Sequence, residues 1–325
     1  MKVKAKSEFL FIVGVGRSGT SLLQSMFASH PSVAYMPESS FLRRYVAKGV
    51  LAGIYISEGE GGVLRALEED KSFSRLEVNS LALIRKSAKS DEPLDLAIYR
   101  QMIQMYNVEK LPWVGDKDPR LIEFLSLASR FCPTAKVINM IRDPRDVLLS
   151  KKKAAWSRGG HVWKHVFANR VQLKLGRVSG ISDFGANYHE VVYEELITAP
   201  EDVLSCLCEA MGLLFDNAML TFGDAARKLV SETEVSWKKE TFGPVLTENK
   251  EKWRTGLTPR EIVLTELCCK QAFQAGNYLR AARTQKLSLC DRIWVLSGAT
   301  AIFLLDWPYR LYRNFKVRQA CKRII

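Results

Sequence analysis

A glycine-rich stretch near the start of the 325-residue chain combines residue types that bind anions. It reads Gly14-Val15-Gly16-Arg17-Ser18-Gly19-Thr20-Ser21. The stretch follows an apolar run, Phe9–Val13, which is typical of a buried strand, and it precedes a helical pattern that Pro31 ends. A strand, a glycine-rich turn and a helix in this order point the unpaired amide N–H groups and the dipole of the helix at the turn. The sequence therefore predicts an anion site at this turn.

Three kinds of site share this loop pattern, and the loop alone leaves all three open. The G-x-G-x-x-G spacing, with Glu38 lying 19 residues after Gly19, is typical of a dinucleotide-binding turn. The glycine spacing also approaches the phosphate loop of nucleotide hydrolases, although Thr20 stands where that loop has lysine. The third interpretation is a terminal phosphate or sulfate, held by a guanidinium and three hydroxyls from Arg17, Ser18, Thr20 and Ser21.

A second motif favours the third interpretation. The apolar run 135–141 predicts a strand, Arg142 follows it directly, and Ser150 lies eight residues further on in a predicted helix. Because ligands of parallel sheets bind at the carboxyl ends of the strands, Arg142 and Ser150 can bind a second anionic group. The motif has a purely structural alternative, in which Asp143-Pro144 begins a helix and Arg142 forms an internal ion pair.

With these two motifs the chain resembles the sulfotransferases that use 3′-phosphoadenosine 5′-phosphosulfate (PAPS). Residues 16–21 resemble their 5′-phosphosulfate motif and residues 142–150 their 3′-phosphate motif. The chain is most similar to the branch that includes protein-tyrosine and many carbohydrate or lipid sulfotransferases. The resemblance covers roughly residues 9–260, and it is sharp only at the motifs.

The resemblance implies catalytic roles for Glu38, Lys117 and Arg17. Glu38 would be the general base, and Lys117 and Arg17 would neutralise the charge that develops on the bridging oxygen. Without the resemblance, Glu38 is a loop acid that pairs with Arg43 or Arg44. Lys117 is likewise a solvated lysine between two acids.

The resemblance also implies a set of nucleotide-binding residues, and it expects PAPS as donor, adenosine 3′,5′-bisphosphate as product, and no metal. These residues are Arg17, Ser18, Gly19, Thr20, Ser21, Arg142, Ser150, Tyr193 and Lys252. Ala154 departs from the family, whose members have arginine there, and one of the lysines 151–153 is expected to substitute for it. Thr241 is a candidate for a late family serine.

A metal pair at His161 and His165 is the alternative to metal-free chemistry. The two histidines are four residues apart on a predicted helix, but the second position of the H-V-W-K-H string is not an acid, so the zinc-protease pattern is not met.

Strand patterns that alternate with helical patterns position these residues. They predict an α/β fold, a three-layer arrangement of a P-loop-like parallel sheet with helices on both faces. We expect a sulfotransferase domain over residues 1–284, in which the helical segment 40–110 is an insertion that shapes the acceptor pocket. A basic amphipathic C-terminal tail is expected over residues 285–325.

The charge is concentrated in that tail. The whole chain has a net charge of +13, and residues 281–325 carry nine Lys/Arg against two Asp. The apolar run 293–305 has 13 residues, fewer than the roughly 20 that a spanning helix needs. The tail therefore predicts contact with an anionic membrane surface, with docking on the protein body as the alternative. Nucleic-acid binding is not expected, because no recognition module accompanies the charge.

Seven cysteines without a C-x-x-C pair predict a reducing compartment. We therefore expect a cytoplasmic PAPS-dependent sulfotransferase, peripheral at the membrane, whose acceptor is a hydroxyl of a carbohydrate, a glycolipid or a small molecule. The alternatives are a P-loop nucleotide kinase-like enzyme and a non-catalytic nucleotide-binding protein at the membrane surface.

Overall fold

A five-stranded parallel sheet forms the centre of the protein. The computed structural model describes residues 7–154, 161–231, 235 and 242–324. The strand order in the sheet is β2-β3-β1-β4-β5, and each neighbouring pair is parallel. The strands are β1 (Glu8–Gly14), β2 (Val33–Tyr35), β3 (Trp113–Lys117), β4 (Lys136–Ile141) and β5 (Tyr188–Val192).

Alternating side chains of the central strand bury against opposite faces of the sheet. Phe9, Phe11 and Val13 belong to one hydrophobic core, whereas Leu10 and Ile12 belong to another. Because successive side chains of a strand point to opposite faces, a strand that is apolar throughout needs cover on both sides. Helices supply that cover on each face, which confirms the predicted three-layer α/β fold.

Most α-helices of the described residues pack into one of three cores, and α15 contributes to two of them. Helices α1, α9 and α10 cover one face, and α2–α6 cover the other. Helices α7, α8 and α12–α15 surround a third core at the loop end of β1 and β4. Their bounds are α1 (Thr20–Ala28), α2 (Val50–Glu68), α3 (Lys71–Ser74), α4 (Ser80–Ser87), α5 (Leu94–Tyr106), α6 (Leu125–Phe131), α7 (Pro144–Lys153), α8 (Val162–Phe184), α9 (Tyr193–Thr198), α10 (Pro200–Met211), α11 (Gly223–Leu229), α12 (Trp253–Gly256), α13 (Pro259–Cys268), α14 (Lys270–Ala275) and α15 (Leu289–Arg323).

The segment 40–110 is helical, as its pattern predicts. A π-helical turn, Leu42–Val46, is followed by α2–α5, which pack on the face of β1 that carries Phe11. The segment therefore completes one layer of the fold. Its role in an acceptor pocket stays a prediction.

The C-terminal tail is one long helix that docks on the body. A capping box between Ser288 and Asp291 begins α15. Val295, Ala299 and Ile302 bury into the third core, and Asp306 pairs with Arg170 of α8 at 2.9 Å. One face of α15 thus docks on the protein body, which is the alternative that the sequence left open for the tail. Among the described residues, no helix is both long and apolar enough to cross a bilayer.

Candidate active site

The predicted site residues meet at the carboxyl edge of the sheet. The loop 14–21 follows β1, Lys117 ends β3, Arg142 follows β4 and Tyr193 follows β5. Glu38 lies three residues beyond β2. Since all five strands are parallel, these ends converge at one edge, where a ligand can contact several of them at once.

Glycine is required at two positions of the loop. Gly19 has a φ of 98°, and a Cβ atom there would lie 2.3 Å from the Tyr193 ring. A Cβ atom on Gly14 would lie 2.6 Å from the Ser18 hydroxyl and 2.8 Å from the Met140 carbonyl oxygen. The loop therefore packs too closely on β4 and Tyr193 for a side chain at either position.

The loop leaves polar donors unpaired at the start of α1. Helix α1 begins at Thr20, and Gly19 before it supplies no side-chain cap. The first amide N–H groups of a helix have no acceptor within it. The Ser18 hydroxyl is buried and has no hydrogen-bond partner in the described part of the chain. Buried donors without acceptors suit a bound anion.

Lys117, Glu38 and Ser21 form one cluster beside this loop. Lys117 is almost completely buried and forms an ion pair with Glu38, whose side chain is 26% exposed. The Lys117 ammonium also lies 3.5 Å from the Ser21 hydroxyl. The cluster places a carboxylate that faces solvent and a buried cation next to the α1 N-terminus. A carboxylate able to accept a proton and a fixed positive charge therefore share one site.

The two anion motifs contact each other. Arg17 donates from Nε to the Ser150 hydroxyl at 3.0 Å, and Arg142 donates from Nη1 to the Arg17 carbonyl oxygen at 3.3 Å. The structure thus brings Arg17, Arg142 and Ser150 to one place. A single elongated ligand can reach both motifs.

Arg142 is held by an aromatic ring and by a late loop. Its guanidinium lies 4.1 Å from the centre of the Tyr193 ring, and Nη2 donates to the Asn249 carbonyl oxygen at 2.8 Å. Asn249 in turn donates from Nδ2 to the Tyr193 hydroxyl at 2.8 Å. The Arg142 Nε is buried with no hydrogen-bond partner among the described residues, so one donor of the guanidinium remains for a ligand.

Lys252 lies three residues after Asn249, which contacts Arg142. Its side chain is exposed at the start of α12, and it makes no hydrogen bond or ion pair with the described residues. The neighbouring Trp253 is buried, lies 3.7 Å from the Arg145 guanidinium and donates its backbone N–H to Asp146. Trp253 therefore anchors the segment that carries Lys252, and the contact of Lys252 with a nucleotide stays a prediction.

The lysines near Ala154 differ in their surroundings. Lys152 pairs with Glu261 at 2.6 Å. Lys151 is buried, and burial lowers its pKa to about 8, with the nearby Arg120 and Arg17 charges adding to the decrease. Lys151 is therefore buried near the Arg17 charge, in surroundings that disfavour its own charged form.

Two buried acids on either side of Lys117 were not predicted as site residues. Burial raises the pKa of Asp116 to about 7, although Tyr99 donates a hydrogen bond to this carboxyl at 2.7 Å. Burial also raises the pKa of Asp118, which pairs with Arg43 at 3.0 Å. In the sequence, only their position next to Lys117 indicated that Asp116 and Asp118 belong to the site. The alternative that Glu38 pairs with Arg43 or Arg44 is not what these contacts show, because Arg43 pairs with Asp118 and Glu38 pairs with Lys117.

The histidine pair lies at the start of α8. His161 precedes the helix, and burial lowers the pKa of His165 to about 4. In the parts of the chain that the structure covers, no group of three or more His, Cys, Asp or Glu is arranged to hold a metal ion. Thr241 lies outside the described residues.

The chain belongs to the sulfotransferase family. The model of that family matches residues 10–217, which include the glycine-rich loop, Lys117 and the motif 142–150. Curated relatives are protein-tyrosine sulfotransferases. The Caenorhabditis elegans protein-tyrosine sulfotransferase A is 23% identical over 79% of this chain and 63% of its own length. The human protein-tyrosine sulfotransferase 1 is 27% identical over 42% of this chain, and the match spans 31% of the human protein.

Two solved sulfotransferase domains share the fold. One comes from a Synechococcus olefin synthase and has a TM-score of 0.60 at 23% identity, covering 86% of this chain and 99% of that domain. The other comes from the curacin biosynthetic pathway and has a TM-score of 0.56 at 18% identity, covering 85% of this chain and 99% of that domain. Both support the P-loop-like architecture.

Proposed function

We propose that the protein transfers the sulfuryl group of PAPS in line to an acceptor hydroxyl. The observation that carries the proposal is the contact between the two anion motifs, Arg17 with Ser150 and Arg142 with Arg17. A donor with a phosphosulfate at one end and a 3′-phosphate at the other needs two such motifs within the length of one nucleotide. The Ser18 hydroxyl and Arg142 Nε, which find no hydrogen-bond partner among the described residues, are donors that would suit these anions.

The residues divide the chemical work as follows. The bond from sulfur to the phosphate oxygen breaks as the acceptor oxygen bonds to sulfur, which leaves adenosine 3′,5′-bisphosphate. Glu38 takes the proton of the acceptor hydroxyl. Lys117 and Arg17 stabilise the negative charge on the departing oxygen, and a buried ammonium does so with little screening by water. These positive charges perform a role that other enzymes give to a metal ion.

The ion pair between Lys117 and Glu38 fits both roles. The ion pair holds the carboxylate proposed to accept the proton beside the ammonium proposed to stabilise the departing oxygen. Ser21, which also contacts Lys117, lies at the α1 N-terminus, where the phosphosulfate is expected. One side of the site would therefore bind the transferring group, and the more exposed Glu38 would meet the acceptor.

The acceptor is proposed at the level of a hydroxyl group. Carbohydrate, glycolipid and small-molecule hydroxyls are candidates, and the curated relatives add protein tyrosines. The seven free cysteines favour a cytoplasmic site of action.

Calorimetry and mass spectrometry test the proposal. We expect adenosine 3′,5′-bisphosphate to bind without added metal. Incubation with PAPS and a panel of carbohydrate, lipid, phenol and tyrosine-peptide acceptors should add one SO₃ group to members of at least one class. Binding of ATP that depends on Mg²⁺, with no binding of the bisphosphate, would instead identify a kinase-like enzyme. Nucleotide binding without transfer to any class would favour a non-catalytic protein.

A further inference from the structure

The helix α15 exposes an apolar stripe on a side that adjoins its docked face, where the Phe303 ring lies 4.7 Å from the Arg170 guanidinium. Its members follow one another at spacings of three, four or seven residues, except that Phe303 and Leu304 are adjacent, and these spacings place them on one side of the helix. Each is between 43% and 74% exposed. The stripe consists of Leu289, Ile293, Leu296, Phe303, Leu304, Trp307, Leu311 and Phe315.

The stripe is too large to be ordinary surface. Single exposed apolar side chains are common, but a contiguous row of eight, two of them phenylalanine and one tryptophan, marks a surface that contacts something apolar. The helix does not need the stripe for its own docking, which uses Val295, Ala299 and Ile302 together with the Asp306 ion pairs.

After Leu311 this side of α15 also carries basic residues, with Phe315 as the last member of the stripe. Asn314, Arg318 and Lys322 continue the spacing of the stripe and line a groove of about 920 Å³ between α15, α6 and α8. Five cationic and two anionic side chains line this groove. They are Arg130, Lys174, Arg310, Arg318 and Lys322, with Glu123 and Asp183.

The acids in the groove are already engaged. Glu123 pairs with Arg313 at 2.7 Å, and Asp183 accepts a hydrogen bond from Ser126 at 2.5 Å. Lys174 and Arg310 share Asp306. Arg130, Arg318 and Lys322 therefore supply excess positive charge directly beyond the end of the stripe.

We propose that α15 lies on an anionic lipid bilayer, with the stripe in the interface and the basic groove against the headgroups. Apolar side chains and flanking cations together are what an interfacial helix uses to bind such a surface. A second copy of the chain fits less well, because α15 carries seven Lys/Arg against two Asp and pairing would bring like charges together. The proposal does not depend on the chemistry at the carboxyl edge.

Vesicle flotation of the full chain tests it. We expect binding to vesicles of roughly one part phosphatidylserine to three parts phosphatidylcholine, and weaker binding to phosphatidylcholine alone. Added salt should weaken binding to the vesicles that contain phosphatidylserine. The double variant Leu304→Ser/Trp307→Ser should reduce partitioning by at least about tenfold.

The neighbouring Leu305 offers a matched control. It is also exposed, but it lies on the flank of the helix, so Leu305→Ser should change partitioning by less than about threefold. Arg318→Gln and Lys322→Gln should each lower binding to the anionic vesicles by about fivefold. Unchanged thermal melting and bisphosphate binding would show that the variants are folded.

Three outcomes would overturn the proposal. The first is no binding to anionic vesicles, and the second is equal binding by the parent and the stripe variant. The third is a concentration-dependent doubling of mass without lipid that Leu304→Ser/Trp307→Ser abolishes, because it would make the stripe a contact between copies of the chain.

Discussion

At the scale of single residues, the candidate site combines opposite charges that partly neutralise each other. Lys117 is buried and pairs with Glu38, while Arg17 bonds to Ser150. Charges held in place before a ligand arrives need little reorganisation during the reaction, and this is the main way in which such a site stabilises a transition state. Individual substitutions should therefore separate binding from chemistry.

Glu38→Gln is the sharpest of these substitutions. It keeps the shape of the side chain and removes its ability to accept a proton. We expect turnover to fall by about 10²–10⁴-fold, whereas calorimetric binding of adenosine 3′,5′-bisphosphate stays within a few-fold. Near-normal turnover with intact nucleotide binding would show that another group is the base.

Gly19→Ala tests the close approach of the loop to Tyr193. The added methyl group would meet the Tyr193 ring at a φ of 98°, so we expect a loss of about 1–3 kcal/mol in unfolding free energy and weaker bisphosphate binding. Gly16→Ala is the control in the same loop, because a Cβ atom there would meet no atom of the described residues within 4 Å. Equal effects of the two substitutions in denaturant titrations would contradict the packing argument.

At the scale of elements, much of the site could be predicted because each motif is local. The glycine-rich loop and the Arg-Asp-Pro start of α7 lie next to apolar strands, and the side chains that follow a strand stand at its carboxyl end. The strand Trp113–Lys117 was missed because its sequence, WVGDK, has no apolar run. After Asp118 the chain forms a 3₁₀ turn, Pro119–Glu123, and α6 begins only beyond Phe124, whose φ is −131°.

Long-range contacts could not be predicted in this way. Asn249 contacts Arg142 and Tyr193, residues 107 and 56 positions away, and nothing in its own neighbourhood indicates this. The docked face of the C-terminal tail could not be predicted either. Its composition indicated an amphipathic helix, but which face docks depends on the holes that α8 and α13 present.

The two faces of α15 should separate stability from surface behaviour. Ile302 is 2% exposed within the third core, so Ile302→Ala should lower the unfolding free energy by about 2–5 kcal/mol. Leu304→Ala, two residues away on the exposed stripe, should change it by less than about 0.5 kcal/mol. Chemical denaturation followed by circular dichroism measures both. Comparable losses would mean that both faces are packed.

At the scale of the whole molecule, buried carboxyl groups make stability depend on pH. The pKa of Asp116 is about 7 in the folded protein and close to 3.8 when the chain is unfolded. Between these values the folded state holds a proton that the unfolded state has released. The contribution of Asp116 to stability is therefore present at low pH and decreases as the pH rises towards 7.

Asp116→Asn removes this titration and retains an acceptor for the Tyr99 hydroxyl. We expect the difference in unfolding free energy between the variant and the parent to shift in favour of the variant as the pH rises from about 4 to 7. Denaturant titrations across that range measure the difference. A difference that does not vary with pH would show that Asp116 is ionised throughout.

The hydrogen bond from Arg17 to Ser150 ties the glycine-rich loop to the second half of α7. A ligand group that binds Arg17 must disturb the hydrogen bond of Ser150, and a group that binds Ser150 must disturb that of Arg17. The two anionic groups of the ligand are therefore recognised jointly. Mutational losses at the two motifs should then fail to add, since removing either partner already loosens both. Fragments that carry only one anion would forfeit more affinity than their missing contacts alone suggest.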